Sequence, residues 1–191
     1  MPTVAIVYYS AQGHTHALAE AVAEGASGVT GTSVVLHRIQ DADIQNGRWK
    51  NDDAVKELSA ADAIIFGTPT YMGGYSAQMK AFIDACSGVW YQQGWKDKVA
   101  AGFTHSGGLS GDKLNTLVGL AINAMQHGML WIGPALMVEG MDTTNVNRLS
   151  SYTGAMAQSA GATPVCDGDK KTAAGLGKRV AEAAARWVKG K

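Results

Sequence analysis

This sequence has little cysteine, little proline and no net charge. Only Cys86 and Cys166 occur in 191 residues, with no C-x-x-C pair and no histidine nearby at ligand spacing. Neither a disulfide framework nor a metal site is supported by that pattern. Formal net charge is zero and no basic run exceeds Lys170-Lys171 or Lys178-Arg179, so the surface needed to track nucleic-acid phosphates is missing. No apolar run approaches the ~20 residues of a membrane span. The N-terminal MPTVAIVYYS lacks a charged leader region and reaches polar Ser10 too early for a signal peptide. These absences predict a cytoplasmic protein with neither nucleic-acid nor membrane partners. Four prolines against 24 glycines speak for tight turns in an ordered chain, and 191 residues suit one domain spanning 1–191.

What is present is a repeated strand–loop–helix grammar. Residues 4–9 (VAIVYY) form a β-branched and aromatic run, followed by Ser-Ala-Gln-Gly and by Leu18, Ala19, Val22, Ala23 and Ala26 at helical spacing. The pattern predicts further strands at 33–36, 63–66, 99–103 and 129–138. Helices are predicted near 52–60, around Met79, Phe82, Ile83 and Cys86, around Leu114, Leu117, Val118, Ala121, Ile122 and Met125, and from Asp169 onward. Strands apolar on both faces suit a parallel sheet covered by helices on each side. The expectation is an α/β, doubly wound, five-stranded parallel sheet of order 2-1-3-4-5.

Sheets of this kind bind ligands outside the carboxyl ends of their strands, so the loops after strands 1, 3 and 4 are the candidate site. The first is Ser10-Ala11-Gln12-Gly13-His14-Thr15. It runs straight into a helix, where free N–H groups, the positive helix end and two hydroxyls can cradle a phosphate dianion. Simple helix capping by Ser10 or by His14-Thr15 is an equal reading of those six residues alone. The second, Gly67 to Gly74, has Pro69 and Thr70 at a turn, Tyr71 and Met72 as apolar walls for a flat ring, and Gly73 to let backbone approach it. The third holds His105, Ser106, Gly107, Gly108, Leu109 and Ser110, a source of N–H and hydroxyl donors for a ring's polar edge.

Outside the loops, His127 reads equally well as a helix-terminal histidine or as a ring neighbour. Trp90, Tyr91 and Trp95 form an aromatic cluster past a helix that reads as core, an oligomer contact or a substrate shelf; loop aromatics lie at the surface, so the expectation is an exposed cluster rather than core alone. Cys86 falls on an apolar helix stripe and reads as a small buried hydrophobe.

At these residues the chain resembles the WrbA-type NAD(P)H:quinone oxidoreductases of the flavodoxin superfamily. The resemblance is carried by YYSAQGHTHALAEAVAEGAS, AIIFGTPTYMGGYSAQMKAFIDACSGVW and QHGM, over about residues 3–138. It implies a flavodoxin-like fold and FMN bound through the first loop, Thr70 to Met72, His105 to Ser110, and His127. It also implies NAD(P)H and quinone-like substrates and a homotetramer in which Trp90 matches an active-site tryptophan. The family's Thr-Arg-Phe-Gly-Asn stands here as Thr70-Tyr71-Met72-Gly73-Gly74, and its first-loop aromatic is Gln12. Gln12, Tyr71 and Trp90 are therefore the residues expected to shape the substrate space.

Overall fold

The computed structural model describes residues 1–190. In chain order its elements are β1 (Thr3–Tyr8), α1 (His14–Ser27), β2 (Ser33–Arg38), β3 (Ile44–Gln45), β4 (Arg48–Trp49), α2 (Asp52–Ala60), β5 (Ala63–Tyr71), β6 (Gly74–Tyr75), α3 (Ala77–Ala85), α4 (Ser87–Tyr91), β7 (Val99–Ser106), α5 (Lys113–Gln126), β8 (Leu130–Trp131), β9 (Ala155–Gln158) and α6 (Asp167–Lys189). The main sheet runs β2-β1-β5-β7-β8, all parallel. In terms of its five principal strands this is 2-1-3-4-5, a flavodoxin-like sheet as the alternation of elements predicts.

Alternation along each strand explains why the strands are apolar throughout. Val4, Ile6, Ile65 and Phe103 face one layer, where they meet Leu18 and Val22 of α1 and Leu176 and Val180 of α6. Ala5, Val7, Ile64 and Phe66 face the other, against Leu58, Phe82, Trp95 and Leu120. Helices α1 and α6 lie close together because their contact is glycine-lined. A Cβ on Gly25 would come within 1.9 Å of the Ala174 carbonyl, and one on Gly177 within 2.0 Å of the Val22 carbonyl.

Three expectations are corrected by the structure. The fifth row of the sheet is not one strand over 129–138. β8 supplies only its amino half beside Val99 and Ala100, and β9 supplies its carboxyl half beside Phe103 to Ser106. Residues between them make an excursion anchored by a buried ion pair in which Arg148 Nε and Nη2 each lie 2.8 Å from an Asp169 carboxylate oxygen. Helix α5 buries Leu117, Leu120, Ala121 and Ala124 and leaves Leu114, Val118, Ile122 and Met125 exposed. Apolar residues all round α5 hide which face is inward. Trp95 is not part of an exposed cluster: it is fully buried, with Nε1 donating to Ser59 Oγ at 2.9 Å.

Candidate flavin site

The carboxyl edge of the sheet carries a cleft of about 170 Å³ lined by Ser10 to Gln12, His14, Thr15, Pro69 to Tyr71, His105 to Gly107, Ser159 and Gly161. A larger groove of about 680 Å³ lies between α1 and α6, away from this edge, where parallel strands and helix N-termini aim their unengaged groups.

The first loop is built as an anion cradle. Gly13, with φ +92°, turns the chain into α1, and a Cβ there would meet nothing within 4 Å. Ser10 Oγ accepts from the amides of Gly13 at 3.1 Å and His16 at 3.2 Å. It does cap the helix, but accepting leaves its own proton free to donate. The amides of Gln12, His14 and Thr15 have no backbone partner. Thr15 is 2% exposed and lines the cleft, with no partner for its hydroxyl among the described residues. Free amides, a helix N-terminus and two hydroxyl donors in one concavity fit a phosphate dianion.

The second loop is not the open eight-residue connection its glycines predict. β5 continues through Pro69 and Thr70 to Tyr71 and reverses into β6, with Thr70 paired to Tyr75 and Tyr71 to Gly74. The two-residue turn is Met72-Gly73, at φ +49° and +78°, the left-handed geometry that hairpin twist demands. Met72 is therefore fully exposed at the tip, and Tyr71 is about half exposed. Thr70 points the other way. Its hydroxyl lies 2.8 Å from both Thr104 Oγ1 and Thr116 Oγ1, and Thr104 donates to the Thr68 carbonyl at 2.6 Å. The Thr104 proton is engaged there, so Thr116 donates to Thr70 and Thr70 to Thr104, which leaves no Thr70 proton for a ligand. Thr70 lines the cleft through its backbone.

The third loop is anchored from below and from the side. Ser106 Oγ donates to the Gly108 carbonyl at 3.0 Å and accepts from Lys113 Nζ at 2.9 Å, so its hydroxyl is also turned inward. His105 stacks on His14 with ring centroids 4.6 Å apart. Its Nε2 accepts from the Ser159 amide at 3.2 Å, which assigns the ring proton to Nδ1. Burial, reinforced by His14, pushes the His105 pKa down to about 4, and the ring is neutral at physiological pH.

Trp90 and His127 are not brought to this cleft. A parallel strand that starts after α5 starts at the amino edge, opposite the loops. There His127 is buried, its ring centroid 4.5 Å from that of Trp95, and its pKa is lowered by the same burial. Trp90, 42% exposed, lies at that edge too: the Gln93 amide group donates to the carbonyls of Trp90 and Gln126. The residues sequence reasoning missed are Ser159 and Gly161, which line the cleft, and Lys113. The first two follow a short strand that the long excursion over 132–154 hides. Lysine is rarely buried, so Lys113 carries no signal of its own.

A family model described as NADPH-dependent FMN reductase matches residues 2–144. The chain is similar to a flavodoxin, WrbA-like protein from Agrobacterium tumefaciens of known structure, 43% identical with TM-score 0.76 over 97% of this chain and 99% of that one. It is 34% identical over 201 residues to an NAD(P)H dehydrogenase (quinone) of Geotalea uraniireducens, covering 97% of this chain and 99% of its relative. It is 35% identical over 187 residues to flavodoxin FldP of Pseudomonas aeruginosa, covering 95% and 96%. Among the described residues no helix is long and apolar enough to cross a membrane.

Proposed function

We propose that this chain, which belongs to the NADPH-dependent FMN reductase family, is a single-domain, FMN-dependent oxidoreductase that passes two electrons from NAD(P)H to quinones. The observation that carries the reading is the first loop, where a buried, unpartnered Thr15 hydroxyl and free helix-terminal amides converge on open space above Gly13. Relatives named NAD(P)H dehydrogenase (quinone) at 34% identity support the acceptor class.

When bound, FMN supplies the hydride chemistry. Ser10, Thr15 and the amides of Gln12 and His14 hold its phosphate. Neutral His105, fixed by Ser159, offers an Nδ1 proton at the cleft without adding charge to it. Tyr71 and Gln12 stand at the rim and shape a space that takes a nicotinamide or a quinone in turn. Trp90, on the opposite edge of its own chain, reaches such a space only from a second copy. The homotetramer proposed here brings it there, and the exposed stripe of Leu114, Val118, Ile122 and Met125 on α5 supplies apolar surface for the assembly.

One observation favours a second reading, a flavodoxin-type electron carrier: the Pseudomonas flavodoxin matches along nearly the whole chain. Zero net charge gives no steering toward a basic redox partner and argues for the small acceptor. Stopped-flow oxidation of NADH and NADPH with and without benzoquinone separates the two. Fast nicotinamide oxidation, with parallel double-reciprocal lines at varied quinone, is expected. No nicotinamide oxidation would favour the carrier, and intersecting lines would reject a shared acceptor space.

A further inference from the structure

We propose that Lys113 is a positioning residue for the flavin site, its buried ammonium holding the third loop in the shape that presents the Leu109 and Ser110 amides. The inference rests on the FMN reading above. Lys113 is 1% exposed, and its Nζ is surrounded by acceptors: Ser106 Oγ at 2.9 Å, the Gly108 carbonyl at 2.8 Å and the Leu109 carbonyl at 2.9 Å. Three donors meet three acceptors, and the loop is wrapped around the cation.

Peptide geometry carries the consequence. In a trans peptide the carbonyl and the following N–H point in opposite directions. Turning the Gly108 and Leu109 carbonyls onto the ammonium therefore turns the Leu109 and Ser110 amides away from it, and neither amide has a partner among the described residues. Two successive outward donors then follow Ser106 and Gly107, which line the cleft. Left-handed backbone at Gly111 (φ +55°) and Asp112 (φ +54°) turns the chain so that Lys113 comes under its own loop. Without the cation, three inward-facing oxygens lose their common donor: the Leu109 carbonyl keeps no partner among the described residues, and the Gly108 carbonyl keeps only the Ser106 hydroxyl at 3.0 Å.

The charged and titratable groups that face Lys113 are Asp169 of α6 and Arg148 of the excursion, which pair with each other, and His105 of β7. Burial in this setting lowers the Lys113 pKa to about 8. The loop-holding form is the charged one. Its contribution to flavin binding is therefore complete below that pKa and is lost as pH rises through it.

The test is the FMN dissociation constant of the full chain from pH 6 to 9.5, by flavin fluorescence, for the wild type, Lys113→Met and Lys113→Arg. The wild type should bind evenly to about pH 7.5 and weaken above about 8. Lys113→Met should bind about tenfold more weakly at pH 7 with no break near 8, and Lys113→Arg should recover most of the neutral-pH affinity and keep it at pH 9.5. A wild type that binds FMN with no break near pH 8, or a folded Lys113→Met that keeps full affinity, overturns the inference and leaves the FMN reading standing. A wild type that binds no FMN overturns both. If Lys113→Met does not fold, the wild-type profile and Lys113→Arg still decide.

Discussion

The two edges of the sheet are built from similar materials and differ in what is left unengaged. At the amino edge, aromatic and polar groups are locked together: Trp95 against Phe82 and His127, its N–H on Ser59, and the Lys98 ammonium on the Ser59 and Ala61 carbonyls. At the carboxyl edge, the Thr15 hydroxyl and the amides of Gln12, His14 and Thr15 have no partner among the described residues, and Tyr71 and Met72 stand in solvent. Unengaged donors cost stability; those of the first loop open into one shared cleft, where a ligand can complete them, whereas unpartnered buried atoms elsewhere, His127 Nδ1 and Trp49 Nε1 among them, are closed off from solvent.

The sharpest contrast is within one aromatic cluster. Trp95→Ala should lower unfolding stability by about 3–5 kcal/mol in denaturant melts, as expected for removal of a buried tryptophan. Trp90→Ala should change it by less than about 0.5 kcal/mol. Equal costs would erase the distinction between a packed and a presented tryptophan.

His105 tests the carboxyl edge by pH. Its folded pKa of about 4 lies below the unfolded 6.5. The stability tied to its neutral form is full above pH 6.5 and is lost as pH falls from 6.5 through 4. That loss amounts to up to about 3 kcal/mol. His105→Gln should flatten most of this slope, with half-buried His37 and buried His127 leaving a residue of the same sign. An unchanged slope would place the acid-sensitive group elsewhere.

Thr15→Asp should weaken FMN binding by roughly 1.5–3 kcal/mol, through loss of a charge-assisted hydrogen bond and addition of like charge. Calorimetry that finds the same affinity would remove Thr15 from the cradle. The smallest effect on binding is expected for Trp90→Ala, which should retain FMN but lose quinone turnover. A variant with unimpaired kcat/KM would detach Trp90 from the acceptor space.

Much of this contrast was legible in the sequence, and the rest was hidden for identifiable reasons. Strand order, the 52–60 helix and the first loop follow from apolar runs and from Ser10 to Thr15 preceding a helix. The second loop misled because Pro69, Thr70 and the glycines signal a turn, whereas the strand continues and the hairpin bends at Met72, an unusual residue for positive φ. Of the two readings of His127, the helix-terminal one holds within this chain, because a parallel strand that follows a helix begins at the edge away from the loops. The inward face of α5 was illegible because Leu114, Val118, Ile122 and Met125 form as regular an apolar stripe as the buried one. The Thr116–Thr70–Thr104 relay and the Lys113 anchor depend on contacts 34 to 46 and 4 to 7 residues apart, and a residue type reveals neither.

The central claim is that the first loop seats the cofactor by its single phosphate. Titrating the protein with FMN, riboflavin and FAD measures this most directly. The account predicts FMN bound far more tightly than riboflavin, which lacks the phosphate, and in preference to FAD, for which the loop offers no second phosphate site. Equal affinity for FMN and riboflavin, or tight FAD binding with none for FMN, would contradict it.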